Sequence, residues 1–386
     1  MKDTHKALLI GLSSRILVVG IFVLSSILFG ASSEQPATHI TNPLPIVNLF
    51  NRDDSGFYIS IAQSGYPTGS PKADWAFFPL YPAAMKAVSL LFMPFFGTDY
   101  IVLQNEIELS GFIISNIAFF VSVYFFYKLT NKVFGSVKIS LVATAFYSFF
   151  AGAVFYSAIY SEALFMALAL GAFYYLEEDK LPIAVVLGFL ASFTRSYGFI
   201  ICIPFLIYGL QSIKNKSKAI VLFACSALVA SPFLIFQLIG YKVAGGAFPI
   251  TVIARNIYWG IRPSLPTQIV ELSSSLRVFY IVGLGLMFLP IAYFIGRFCS
   301  RSVKSRLIQD EKQLKYWAFY ASMVIVLIYQ FFVFSFVRYA ATLLPIYWVS
   351  AIIYTRSRSV GIAIFVVMTG MLILGSYMLE IGGPFY

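Results

Sequence analysis

The residues best suited to chemistry lie in five separate places in the chain. Arg52-Asp53-Asp54 opens a polar stretch that also carries Lys72 and Asp74. Tyr160-Ser161-Glu162, Thr194-Arg195 and Arg338-Tyr339 each interrupt the ends of long apolar runs, and Lys242, Arg255 and Arg262 lie in a polar stretch over 241–275. Carboxylates accept protons or bind cations, and guanidiniums hold anions such as phosphate. An ionisable side chain at the end of an apolar run costs free energy unless it is paired or wetted, so such positions mark function by default.

The elements that must position these groups are membrane helices. The chain of 386 residues is 60% hydrophobic, 18% aromatic and 11% charged, against roughly 25% charged in a soluble domain. Spans need about 20 apolar residues. The apolar runs fall at 7–30, 110–128, 139–157, 161–176, 181–196, 198–213, 218–240, 276–297, 316–336, 338–355 and 359–379. This predicts an all-α polytopic membrane protein with about 11 transmembrane helices, organised as a single domain over 1–386. The first run follows a short basic start but is too long for a signal-peptide core, so it reads as an uncleaved span.

The net charge of +11 reads as the excess of Lys and Arg on the cytoplasmic side of membrane proteins rather than as a nucleic-acid surface. With the N-terminus inside and 76–96 lying on the outer leaflet without crossing, the Lys-rich stretches 128–138 and 214–218 and the basic cluster 297–315 all face inward. The stretch 31–109 is then a large first external loop with juxtamembrane helices, and 241–275 a second external loop. All the clusters above then meet on the non-cytoplasmic face. Cys202, Cys225 and Cys299 are odd in number and unpaired in spacing, and His5 and His39 are too scattered for a metal site.

Locally, Phe57, Tyr58, Ile61 and Ala62 recur at helical spacing. They predict a short amphipathic helix after Asp54, ended by Gly65-Tyr66-Pro67.

Several of these stretches resemble a known family. Arg52-Asp53-Asp54-Ser55-Gly56-Phe57-Tyr58-Ile59-Ser60-Ile61-Ala62, Gly65-Tyr66 and Ala76-Phe77-Phe78-Pro79-Leu80-Tyr81-Pro82 resemble the signature of PIG-V-type mannosyltransferases. Tyr160-Ser161-Glu162-Ala163-Leu164-Phe165 is similar to that family's YSE-x-LF motif, and Thr194-Arg195-Ser196-Tyr197-Gly198 to its TR-x-x-G motif. Arg338-Tyr339 with Pro345 is similar to its late RY…P element. The matches keep the family order. The chain departs from the pattern at Asp53-Asp54, where the family has Trp-Asp, so the family acid maps to Asp54.

The resemblance implies a GT-C-type fold and transfer of a hexose, mannose or a relative, from a polyprenyl- or dolichyl-phosphate sugar. The acceptor would be a glycolipid or glycan. On this reading Asp54 is the general base that takes the acceptor proton. Asp53 shares hydrogen bonds with it, binds a cation with it, or is a solvated loop acid. Arg195 and Arg338 are candidate phosphate ligands, with snorkelling at a span end as the alternative. Glu162 orients Arg195 or an acceptor hydroxyl, and Arg52, Tyr58 and Tyr339 complete the substrate-binding set. No resident cofactor or metal site is implied beyond the lipid-linked donor, although a divalent cation on the Asp53-Asp54 pair is compatible. The partners are donor, acceptor and membrane lipids. The location is the cell membrane in a prokaryote or the endoplasmic reticulum in a eukaryote. A lipid or sugar transporter or flippase is the alternative; it calls for mid-span ionisable residues and internal symmetry, whereas only Arg15 lies deep in an apolar run and no repeat is evident.

Overall fold

Turn and cap residues divide the chain into helices, and among the described residues every regular element is helical. The computed structural model describes residues 2–29, 43–92, 99–260, 274–299, 311–330 and 336–380. The expected features at Arg262, His39 and most of the 297–315 basic stretch lie outside them.

In order, the helices are α1 (Lys2–Phe29), α2 (Pro45–Phe50), α3 (Ser55–Ser64), α4 (Leu80–Ser89), α5 (Tyr100–Phe134), α6 (Val137–Ser148), α7 (Glu162–Glu177) and α8 (Leu181–Ser192). They continue with α9 (Cys202–Gln211), α10 (Lys216–Val243), α11 (Ile250–Trp259), α12 (Ser274–Cys299), α13 (Glu311–Gln330), α14 (Phe336–Ala340), α15 (Leu344–Arg356) and α16 (Arg358–Glu380). Three 3-10 turns, at Ala73–Ala76, Ala151–Tyr156 and Gly198–Ile201, link them. Lys2–Leu28, Ile101–Phe134, Lys216–Val243 and Arg358–Glu380 are each long and apolar enough to cross a membrane, and shorter apolar helices pack among them. The protein is a multi-pass membrane protein.

The amphipathic helix after Asp54 forms as its spacing predicts. It runs Ser55–Ser64, buries Tyr58, Ile59, Ile61 and Ala62, and ends at Gly65 with φ +79°, where a glycine adopts the left-handed region without strain. The apolar stretch 76–96 forms only the ten-residue α4 among its described residues. Ten residues extend about 15 Å, half of a hydrocarbon core of about 30 Å.

Two stretches that read as continuous spans are broken. Within 139–157, α6 stops at Ser148 and the chain turns into the 3-10 helix Ala151–Tyr156. Within 338–355, Pro345 lies in the first turn of α15, after a break at Leu343 that separates it from the single turn of α14, because proline has no N–H to donate to a preceding turn and fits only at the start of a helix. The two broken pieces pack on each other. Gly152 makes this possible: a Cβ there would run into the Val337 carbonyl and lie 2.8 Å from the Ala341 Cβ.

Helix α7 has opposite polar ends. Its first residue is Glu162 and its last Glu177, about 22 Å apart at 1.5 Å per residue. At the Glu177 end, Lys315 pairs with Glu177 at 2.7 Å, Lys132 with Glu178 at 2.7 Å and Lys218 with Asp179 at 3.0 Å. The Tyr208 hydroxyl, and after it Lys218, hold the Asp179 carboxyl below its ordinary range. Lysines from three of the expected inward-facing stretches therefore gather at one end of α7, and the remaining ionisable cluster lies at the other.

Candidate active site

The site is built where four chain segments meet at the Glu162 end of α7. The first is the turn between α2 and α3. Arg52 N donates to Ser55 Oγ at 3.2 Å and Ser55 N to the Arg52 carbonyl at 2.9 Å. Asp53 sits inside this turn with φ +46°, a conformation Asp tolerates better than most non-glycine residues. Asp54 follows as the residue capping α3. Its backbone N–H donates to the Tyr160 hydroxyl at 3.2 Å.

The second segment is Tyr160-Ser161-Glu162. Ser161 caps α7 and Glu162 is its first residue, where the helix dipole favours an acid. The third is the turn 194–198, closed tightly because Gly198 lies against α8; a Cβ there would be 2.8 Å from Ser192 Cα and 2.9 Å from the Ala191 carbonyl. This turn presents Arg195. The fourth is α14, which carries Arg338 and Tyr339.

These segments join in a chain of alternating charge. Asp54 pairs with Arg338 Nη1, Arg338 Nε pairs with Glu162 Oε1, and Glu162 Oε1 pairs with Arg195 Nη1 at 2.5 Å. Arg195 Nη1 also donates to Ser161 Oγ at 3.0 Å, and Ser161 Oγ is 2.8 Å from the Tyr58 hydroxyl. Arg338 lies 4.3 Å over the Tyr160 ring. Arg195 stacks on Tyr197 and Tyr339, whose rings meet edge to face at 5.5 Å. Two acids and two arginines balance, which is how four charges can sit together in a poorly hydrated interior.

Exposure separates the members. The Asp54 side chain is 19% exposed, against 3% for Arg338, 0% for Glu162 and 6% for Arg195. Asp54 is therefore the member of this chain most open to an incoming molecule. The others form the wall behind it. In that wall Glu162 Oε2, Arg195 Nε and the Tyr197 hydroxyl are buried without a hydrogen-bond partner.

The structure thus brings together Asp54, Tyr58, Glu162, Arg195, Arg338 and Tyr339, all expected from the sequence. It places Arg52 differently from a substrate contact: Arg52 Nη2 donates to Glu380 Oε2 at 2.8 Å. Glu380 closes α16, and its only signal in the sequence is that of an acid at the end of the last apolar run. Among the described residues no three His, Cys, Asp or Glu side chains converge as metal ligands. Asp54 is instead paired with the Arg338 guanidinium.

The sequence matches the model of a family described as mannosyltransferase (PIG-V) over residues 36–246. GPI mannosyltransferase 2 of Schizosaccharomyces pombe is 26% identical over 204 residues, half of this chain and 41% of that protein. The chain thus spans about two fifths of that relative's length. The oligosaccharyltransferase of Archaeoglobus fulgidus in its apo form superposes with a TM-score of 0.49 at 12% identity, covering 97% of this chain and 56% of the other. The same archaeal enzyme in complex with an inhibitory peptide and a dolichol-phosphate superposes with a TM-score of 0.48 at 10% identity, with the same coverage. The stretch matched by the family model includes Asp54, Glu162 and Arg195 and stops short of Arg338 and Glu380. Since it takes in more than half of the sequence, the chain belongs to the mannosyltransferase (PIG-V) family.

Proposed function

We propose that the protein is a membrane glycosyltransferase of GT-C type that moves a hexose, mannose in the first instance, from a polyprenyl- or dolichyl-phosphate sugar to a glycolipid or glycan hydroxyl. The observation that carries this reading is the position of Asp54: the most exposed member of a buried charge chain, directly paired with Arg338. Membership of the mannosyltransferase (PIG-V) family supports the choice of sugar, and two arginines behind the exposed acid suit a phosphate-linked donor.

In this reading the acceptor oxygen attacks the anomeric carbon, the bond from that carbon to the phosphate oxygen breaks, and its electron pair leaves with the phosphate. Asp54 takes the acceptor proton. Arg338 and Arg195 stabilise the negative charge that returns to the phosphate. Attack from the face opposite the phosphate makes the transfer inverting.

The pairing adds a constraint. Arg338 serves both Asp54 and the incoming phosphate. When the phosphate takes over the Arg338 Nη1 hydrogen bond, the Asp54 oxygen that held it is free to meet the acceptor hydroxyl. Donor binding thereby prepares the base. Glu162 holds both arginines from behind throughout.

The gathering of Lys132, Lys218 and Lys315 at the far end of α7 supports a site on the non-cytoplasmic face. The test is transfer from labelled polyprenyl-phosphate mannose, glucose and galactose by the purified protein in lipid. Transfer from one of them that is lost in Asp54→Asn is the expected result. No transfer from any of them, with the folded protein binding no donor, contradicts the reading.

A further inference from the structure

The turn that carries Asp54 is fixed at three points. The Phe50 carbonyl accepts from Ile159 N at 3.1 Å, Asp54 N donates to the Tyr160 hydroxyl at 3.2 Å, and between them Arg52 pairs with Glu380 at 2.8 Å. The first two points tie the turn to the segment that bears Glu162. The third ties it to the final helix, across 328 residues.

The third point is an unusual contact to keep for stability. The Glu380 side chain is fully buried and that of Arg52 is 9% exposed. Arg52 Nε and Glu380 Oε1 are both buried without a partner, so the pair is joined by one hydrogen bond where a fork of two is available. Desolvation of such a pair consumes most of its Coulomb attraction, and apolar replacements of both partners are often as stable or more so. What a single directed contact supplies in that situation is orientation. It acts two residues before Asp54, on a turn whose Asp53 holds φ +46°. Helix α16 is itself seated on α1 and on the 3-10 helix Ala151–Tyr156, the piece that also carries α14 and Arg338.

We propose that Glu380 is a positioning residue for the transfer reaction: through Arg52 it sets the Asp53-Asp54 turn so that the Asp54 carboxylate faces both Arg338 and the acceptor hydroxyl. Glu380 lies outside the stretch that the family model matches, and it reaches the site through Arg52. The inference rests on Asp54 acting as the base.

The experiment compares the double variant Arg52→Met/Glu380→Met with the single variants Glu380→Gln and Glu380→Asp. The double variant keeps an unfolding temperature equal to or above that of the parent, because no buried charge is left behind. Its kcat falls by about 10- to 100-fold, the effect of a misplacement on the order of 1 Å, while KM for the donor stays within about twofold. Hydrogen exchange rises in the peptide 52–58 and not in α7. Glu380→Gln behaves in the same direction, and Glu380→Asp recovers part of the loss. In an Asp54→Asn background the double variant causes no further loss, since both act through one carboxylate.

Unchanged kcat in the double variant or in folded Glu380→Gln overturns the proposal. So does an equal loss in both backgrounds, which would mean that Glu380 acts elsewhere. Full turnover in Asp54→Asn alone sinks the base assignment itself, and the exchange measurement still reports whether Glu380 holds the turn.

Discussion

Arg338 hydrogen-bonds Glu162 across 176 residues of sequence, joining a one-turn helix late in the chain to the first residue of α7. The same guanidinium reaches forward to Asp54. One side chain therefore couples the most exposed acid of the site to its most buried one, and its removal should be felt at both.

Truncation of Arg338 leaves Asp54 without its arginine and Glu162 with Arg195 alone. Arg338→Ala should destabilise the protein by about 3–5 kcal/mol, the usual cost of breaking a buried pair from one side. Arg338→Lys should fold better yet bind donor roughly 10- to 100-fold more weakly, since a point charge cannot span two carboxylates and a phosphate as the planar fork does. Arg195→Ala should weaken donor binding in the same way. Thermal unfolding and binding of a polyprenyl-phosphate sugar check both effects. Donor affinity unchanged in both Ala variants reduces these arginines to scaffold.

Gly152 sets the distance between the 3-10 helix and α14. Gly152→Ala places a methyl against the Val337 carbonyl and the Ala341 Cβ and should cost about 1–3 kcal/mol through overpacking. The larger effect should be on turnover, because a shift of α14 on the order of 1 Å carries Arg338 off both acids and can reduce the rate about 100-fold. Transfer measured beside the unfolding temperature separates the two. A fall in stability with turnover intact would show that α14 tolerates displacement.

Orientation follows from the two ends of α7. A cysteine introduced as Ser70→Cys should be labelled by a membrane-impermeant thiol reagent in intact cells, and one introduced as Ser217→Cys, next to Lys218, should be labelled only after permeabilisation. Both serines are exposed in the fold. The reverse pattern turns the protein over and moves the site to the other face.

Local features of this fold were legible in sequence and long-range ones were not. The spacing of Phe57, Tyr58, Ile61 and Ala62 and the stop at Gly65 define α3 because both are local properties of the chain. Hydropathy reports how apolar a run is but not whether its backbone is continuous. The breaks after Ser148 and before Leu344, which bring the Gly152 segment against α14, were therefore invisible in runs that read as whole spans. The site residues Asp54, Glu162, Arg195 and Arg338 could be named from motifs, but their alternation into one charge chain depends on contacts across as many as 284 residues. The pairing of Glu162 with Arg195, one of the two roles expected for Glu162, forms, whereas nothing local shows that Arg338 is shared between Glu162 and Asp54. Arg52, expected beside the substrate, points to Glu380, for which the sequence offered only an acid at the end of an apolar run.

The central claim is that Asp54 takes the acceptor proton, and the pair Asp54→Asn and Asp53→Asn tests it most directly. Asn keeps the size and hydrogen bonding of Asp and removes the proton acceptor. It also tolerates the left-handed backbone that position 53 adopts, so Asp53→Asn is a control that does not disturb the turn. Single-turnover transfer should fall by about 10²- to 10⁴-fold in Asp54→Asn. Donor affinity should hold or increase, because Arg338 loses a competing carboxylate. Asp53→Asn should stay near the parent rate. Near-normal transfer in Asp54→Asn, with the loss appearing in Asp53→Asn instead, would contradict the account and move the base by one residue.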